Sequence, residues 1–184
     1  MPFPYSREDG SLAEFVFEAQ WPRIDEDWLS LAKEEVEIWT KALEVRTEVN
    51  KVLEMARTGK LIGASLDAKV YLYSSDPNLL RKFQQMSMPG DDADKLHRIF
   101  ITSQVEVLPS MDHVSSTGVA FTGTYSAAGL GDLWIGVSRA DGSKCERCWN
   151  YSQVVGSFID HSTLCERCYK VITFEATPNI AVAV

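Results

Sequence analysis

The chain has 184 residues, 45% of them hydrophobic, enough to bury the core of one ordinary domain or two small ones. Its formal charge of −8 argues against nonspecific adhesion to nucleic acid or acidic membranes, so a nucleic-acid contact has to be local, through a basic or aromatic patch. No apolar run approaches the ~18 residues of a membrane helix, which predicts a folded, soluble protein without a membrane span.

Residues 1–23 carry Pro2, Pro4 and Pro22 without a sustained period, and read as an irregular lead-in with a short extended piece at Phe15-Val16-Phe17. From about Asp25 the pattern changes. Asp25, Glu26 and Asp27 suit a helix N-terminus, and apolar residues recur at Ile38, Ala42, Val45, Val49, Val52 and Ala56. This predicts one long amphipathic helix ending near Gly59, with Arg57 and Lys60 at its C-terminal end. Its other face mixes Lys41, Arg46, Lys51 and Arg57 with Glu37, Glu44, Glu48 and Glu54. That spacing suits a solvated face of ion pairs, or one from which a cation or two touch RNA phosphates.

Ala68 to Tyr73 alternates as a half-buried strand does. Ser75-Asp76-Pro77 supplies a capping oxygen and an early proline for a helix bearing Leu79, Leu80 and Phe83. Pro89-Gly90 breaks the chain, a short helix is expected over about Asp92 to His97, and Ile99 to Val107 reads as a second strand. Pro109 to Thr117 is a loop by composition, Gly118 to Thr124 a further strand, and Leu133 to Val137 the next, before an Asp141-Gly142 turn. The fold class is therefore α+β: a long amphipathic helix, a small α/β unit and a cysteine-bearing end. The apolar tail, Ala176 to Val184, either adds an edge strand or packs on that end.

All four cysteines lie in Cys145-Glu-Arg-Cys148 and Cys165-Glu-Arg-Cys168, sixteen residues apart. Two such pairs can turn four sulfurs to one point, the ligand set of a tetrahedral structural zinc site. Disulfides fit less well, because the first thirty residues hold acids, prolines and two tryptophans in place of an apolar signal run. A thioredoxin-type motif needs a single pair. A rubredoxin-like iron site suits the sulfurs equally, so the existence of a metal is better fixed than its identity. His161, four residues before Cys165, reads as an outer or surface residue, since four sulfurs complete the shell. His97 and His113 pair with no nucleophile motif, Asp91, Asp92 and Asp94 suit a helix start, and no phosphate-binding glycine loop is present, so no active site is legible.

The run Lys144-Cys-Glu-Arg-Cys-Trp-Asn-Tyr151, followed by Leu164-Cys-Glu-Arg-Cys168, resembles the C-terminal zinc-binding segment of bacterial-type and organellar isoleucyl-tRNA synthetases. Ala42 to Arg46, Val49 to Lys51, Ala56-Arg57 and Lys60 to Ala68 resemble the end of that family's helical anticodon-binding region, and Phe100 to Glu106 the strand after it. The resemblance covers roughly residues 10–172. It implies residues 1–63 as part of the helical anticodon-binding region, 64–140 as a small α/β domain, 141–175 as a four-cysteine zinc finger and 176–184 as a tail.

By the same resemblance Cys145, Cys148, Cys165 and Cys168 bind one zinc per chain. Arg147, Trp149, Tyr151, Arg167, Tyr169 and Lys170 around them form a cation-and-aromatic surface for phosphates and unpaired anticodon bases. Two placements stay open for Trp149 and Tyr151: packed on the knuckle, or facing out. The implied partners are isoleucine-specific tRNA and the synthetase's catalytic domain, in cis or in trans. The family's His-Ile-Gly-His and Lys-Met-Ser-Lys-Ser signatures do not occur, so the chain is not expected to aminoacylate alone. The implied compartment is a bacterial cytoplasm, a chloroplast or a mitochondrion. Two other functions compete: a zinc-stabilised protein-interaction module, consistent with the acidic charge, and a fragment of a formamidopyrimidine-type DNA glycosylase, which shares the finger spacing. Those glycosylases begin Met-Pro-Glu, and here Phe3 stands in place of the acid.

Overall fold

The computed structural model describes residues 33–88, 95–127 and 131–173, with residues 7, 10, 11, 13, 15–18, 30 and 32. Asp25 to Asp27, Pro89-Gly90, the acids from Asp91 to Asp94 and the tail from Ala176 lie outside the described residues. The chain divides into two compact units, Met1–Glu37 and Ile38–Val184.

In the first unit, Arg7 and Glu18 form an ion pair and the Arg7 amide donates to Ser11 O at 2.8 Å. The expected extended piece is instead a turn of 3-10 helix, Val16–Glu18, closed by the Glu18 amide on Phe15 O at 3.0 Å. Phe15 and Phe17 are both exposed, so their alternation serves no buried sheet face.

The long helix α1 spans Lys33–Thr58 and buries Ala42, Val45, Val49, Val52, Leu53 and Ala56 along one stripe. Lys60, in the left-handed region at φ 58°, ends it, while the Leu61 amide returns to Ala56 O at 2.9 Å. Its charged face carries ion pairs at three-residue spacing, Glu48 with Lys51 at 2.8 Å and Glu54 with Arg57. Arg57 also donates to Gly63 O at 3.1 Å and to Ser65 Oγ at 3.2 Å, which secures the chain leaving the helix.

Strand β1, Ala68–Ser74, alternates buried and half-buried positions as expected. Helix α2, Pro77–Ser87, starts where the capping signal lies: Asp76 Oδ1 accepts from the Asn78 amide at 2.8 Å and the Leu79 amide at 3.3 Å. Helix α3 is Leu96–Phe100, later than expected, and it takes two residues from the predicted second strand. Leu96 and Phe100, four apart, bury on one helical face, and Ile101 at φ 56° stops the helix with its side chain exposed. Strand β2 is therefore only Gln104–Val107.

The stretch expected as a loop holds a short helix, α4 (Met111–Ser116). Strands β3 (Phe121–Ala127) and β4 (Gly131–Arg139) follow. The four strands form one sheet in the order β2-β1-β4-β3, with β1 and β2 parallel, joined by a crossover through α2 and α3, and the other pairings antiparallel. One sheet face, with Val70, Leu72, Leu133, Ile135 and Val137, shares a core with α1, α2 and α3. Phe121 of β3 packs so close to Gly59 that a Cβ there would lie 2.2 Å from its ring. The protein is thus mixed helix and sheet, as the fold class requires, and among the described residues no helix is long and apolar enough to cross a membrane.

The knuckle follows directly. Short strands β5 (Ser143–Lys144) and β6 (Tyr151–Ser152) pair around the first cysteine turn, and helix α5 is Glu166–Thr173. Side chains on the sheet hold this end in place. The Gln104 amide group donates to Asp141 O at 3.0 Å and accepts from the Asp141 amide at 2.8 Å. Lys69 Nζ bridges Glu106 at 2.9 Å and Asp141 at 3.0 Å. Burial pulls the Lys69 pKa down, but those two carboxylates outweigh it and hold the ammonium form. The Ser103 hydroxyl donates to Leu66 O and accepts from the Tyr151 amide at 2.7 Å, so one side chain joins the start of β1 to β6.

Candidate metal centre

The first cysteine pair sits in the loop of the β5–β6 hairpin, where the Cys145 amide donates to Asn150 O and the Trp149 amide to Cys145 O, each at 2.9 Å. The second pair opens α5: Cys165 lies one residue before the helix and Cys168 in its first turn, where the helix dipole favours negative charge. The Glu146 amide donates to Thr163 O at 3.1 Å and draws the two turns together.

All four sulfurs lie within 4.8 Å of one another, and Cys148 Sγ is 3.6 Å from Cys165 Sγ. A tetrahedral site with zinc–sulfur bonds of about 2.3 Å needs sulfurs about 3.8 Å apart. A disulfide needs about 2.05 Å, so these are four free thiols arranged around a point. Cys145, Cys165 and Cys168 are buried and Cys148 is half-buried. Among the described residues the apolar side chains packed against the cysteine cluster are Val155 and Leu164, which with the Phe158–Tyr169 stack make a small core, too little to fold the knuckle by burial.

The thiols differ as four crowded acids should. Burial pushes the Cys145 pKa up, but amides of Cys148, Cys165 and Arg147 donating to its sulfur bring it down to about 6. Burial pushes Cys165 up to about 12, helped by the Cys148 and Cys168 side chains, and burial raises Cys168 as well. A second negative sulfur beside the first is costly until a divalent cation sits between them. The donor set therefore fits one zinc ion.

The six side chains expected to form one cation-and-aromatic surface divide three ways. Trp149 faces solvent, 61% exposed, with Lys144 Nζ 5.7 Å from its ring centroid, and its backbone is left-handed at φ 66°. Lys170 is also exposed and pairs with Glu166 at 2.6 Å. Tyr151 and Tyr169 are half-buried; Tyr169 stacks on Phe158 with centroids 4.0 Å apart and planes 6° from parallel, and His161 meets its edge. Arg147 turns to the sulfurs, with Nη1 3.6 Å from Cys168 Sγ, while Arg167 is half-buried and its pKa is raised, most of all by the Cys148 side chain. Sequence reasoning gave no role to Lys144, Phe158 or Ser103. Only Lys144, next to the first cysteine, carried a signal, whereas Phe158 and Ser103 act through contacts distant in sequence.

Residues 142–171 match the family model described as the zinc finger found in FPG and IleRS. The chain is 57% identical over 183 residues to the chloroplastic/mitochondrial isoleucine–tRNA ligase of Arabidopsis thaliana, covering 100% of this chain and 17% of that protein. It is 42% identical over 162 residues to the isoleucine–tRNA ligase of Nostoc sp. (strain PCC 7120), covering 87% of this chain and 16% of the relative. With the Microcystis aeruginosa enzyme it shares 43% over 158 residues, 83% of this chain and 16% of that one. The chain thus spans about a sixth of the length of these relatives. It is homologous along its length to a segment of the isoleucine–tRNA ligases, and it carries the zinc finger that they share with the FPG proteins.

Proposed function

We propose that the chain is the zinc-bound, tRNA-binding C-terminal portion of an isoleucine–tRNA ligase. It contacts the anticodon region of isoleucine tRNA and supports aminoacylation by a catalytic domain outside this chain. Cys145, Cys148, Cys165 and Cys168 are the ligands, and zinc supplies the folding energy that the knuckle's small core lacks. Residues 1–63 then end the helical anticodon-binding region, 64–140 form the α/β domain, 141–175 the finger and 176–184 the tail. The relatives' names favour an organelle or a bacterial cytoplasm as the compartment.

The observation that carries this reading is Trp149. A large residue in the left-handed region costs about 1–2 kcal/mol that glycine would avoid, and here the cost is borne to leave an indole exposed beside the metal site. An exposed indole with a lysine 5.7 Å from its ring centroid suits an unpaired base and its phosphate. Lys170, Tyr151, Tyr169 and the free N–H groups of Arg147 and Arg167 complete the contact. The net charge of −8 keeps the contact confined to this end.

Titrating the zinc-loaded chain with isoleucine tRNA at two salt concentrations tests the proposal. Affinity should fall as salt rises, and Trp149→Ala should weaken binding by about ten- to a hundredfold, the worth of one stacked base. Binding that ignores both salt and Trp149, or no binding, would contradict it and favour the protein-interaction reading.

A further inference from the structure

A cavity of about 280 Å³ lies where the knuckle meets the sheet. It is lined by Leu61 and Ile62 from the turn that leaves α1, Asp67 just before β1, Arg139 at the end of β4, and Gly142 and Tyr151 from the knuckle. Ile62 is buried and Leu61 and Tyr151 are half-buried, so part of the wall is apolar. The polar part brings a carboxylate and a guanidinium to one space. Asp67 uses Oδ2 for the amides of Gly63 and Ala64, at 3.0 and 2.8 Å, and a carboxylate has about four lone-pair sites, so it can accept more. Arg139 is exposed and stands on the same face of β4 as Ile135 and Val137, the face turned to α1. Tyr151 is the cross-strand partner of Lys144, so their side chains share one face of the hairpin. Lys144 Nζ in turn lies 5.7 Å from the centroid of the exposed Trp149 ring. Trp149, Lys144 and Tyr151 thus lead from the exposed indole to the cavity.

A ligand that fits this cavity offers acceptors to a guanidinium fork, donors to a carboxylate and a flat apolar face to Tyr151 and Leu61. Guanine meets all three demands. Its N7 and O6 are adjacent acceptors matched to arginine, and its N1–H and N2–H are adjacent donors matched to a carboxylate. No other RNA base pairs two adjacent acceptors with two adjacent donor atoms. A neutral base also suits a chain of net charge −8 better than a further phosphate does. We propose that the cavity takes one unpaired guanine of a bound RNA, with Arg139 donating to N7 and O6, Asp67 accepting from N1–H and N2–H, and Tyr151 against the ring. Trp149 then stacks a neighbouring base, and Lys144 lies between the two. The inference rests on the reading of the chain as RNA-binding and adds to it a base identity and the residues that read it.

The test titrates the zinc-loaded 184-residue chain with isoleucine tRNA and with single-stranded uridine hexamers that carry uracil, guanine, adenine or cytosine at the third position. The guanine hexamer should bind at least about tenfold more tightly than the other three, the discrimination that one bidentate contact supplies. Arg139→Lys keeps the charge and loses the fork, so it should bring the guanine hexamer down to the level of the others, and Arg139→Gln should do the same. Arg139 is exposed, so both variants keep the fold. Trp149→Ala should instead weaken all four hexamers alike, because stacking is tolerant of sequence. Guanosine monophosphate, added as a competitor, should displace the guanine hexamer only weakly, since it offers no neighbouring base to Trp149. Equal potency of the two would overturn the assignment of the cavity to RNA. Equal affinities for the four hexamers, a guanine preference that survives Arg139→Lys, or tRNA binding with no binding of any hexamer would overturn the guanine pocket and leave the tRNA reading standing. A chain that binds neither tRNA nor hexamer would overturn both.

Discussion

Gly142 is the residue on which entry to the knuckle turns. Its φ is +86°, and a Cβ there would lie 2.4 Å from the Ser152 backbone, so Gly142→Ala combines left-handed strain with a clash across the β5–β6 hairpin. The substitution should destabilise the metal centre by at least about 1–2 kcal/mol and hasten alkylation of the four thiols; an unchanged alkylation rate would count against this geometry. Asp67 acts just before β1, where its Oδ2 accepts the amides of Gly63 at 3.0 Å and Ala64 at 2.8 Å. The Ala64 bond does most to lower its pKa, and burial opposes it. Because the folded-state pKa lies below the unfolded value of about 3.9, this carboxylate stabilises the fold fully at neutral pH. That contribution is lost as pH falls from about 4 through the folded pKa. Melting temperature should therefore drop more steeply below about pH 4 in the parent than in Asp67→Asn. Equal slopes would show that the carboxylate has no such role.

At the scale of elements, the clearest local signals are those that a few adjacent residues complete by themselves. Asp76 caps α2 through two amides, and Asp76→Ala should cost about 1 kcal/mol in chemical denaturation. The alternation in β1 and the apolar stripe of α1 could be read directly, because one buried face imposes each period. The boundary between α3 and β2 could not. Ile99-Phe-Ile has the composition of a strand, yet Leu96 and Phe100 gain more by burying together on a helix, and a non-glycine residue at φ 56° gives no sequence signal of a stop. Phe100→Ala should cost about 3–5 kcal/mol, as expected for a fully buried ring, and a cost under about 1 kcal/mol would contradict the placement of α3. Helix α4 was hidden for another reason: it buries none of its residues, so no period marks it. In the candidate metal centre the convergence of the four cysteines follows from their spacing alone. The inward turn of Arg147 depends on how the two turns face each other, and adjacent residues do not encode that.

At the scale of the whole molecule, the unit Ile38–Val184 is held by two different kinds of interaction. The sheet and helices α1 to α3 share an apolar core running from Ala42 to Val137, whereas the described part of the knuckle has four clustered cysteines, with Val155 and Leu164 packed against them, and one aromatic stack. Removing the metal should therefore open the knuckle and leave the sheet folded, with all four thiols alkylated rapidly while the main melting transition persists. Loss of both together would mean that Gln104, Lys69 and Ser103 couple the two parts more strongly than a handful of polar contacts usually does. The most direct test of the central claim is native mass spectrometry of the purified chain, before and after chelation. The account predicts one zinc on every folded chain, read as a mass increase of one zinc less the two protons whose charge it replaces, and four free thiols once it is removed. A metal-free folded chain, or one with its cysteines joined in disulfides, would contradict it.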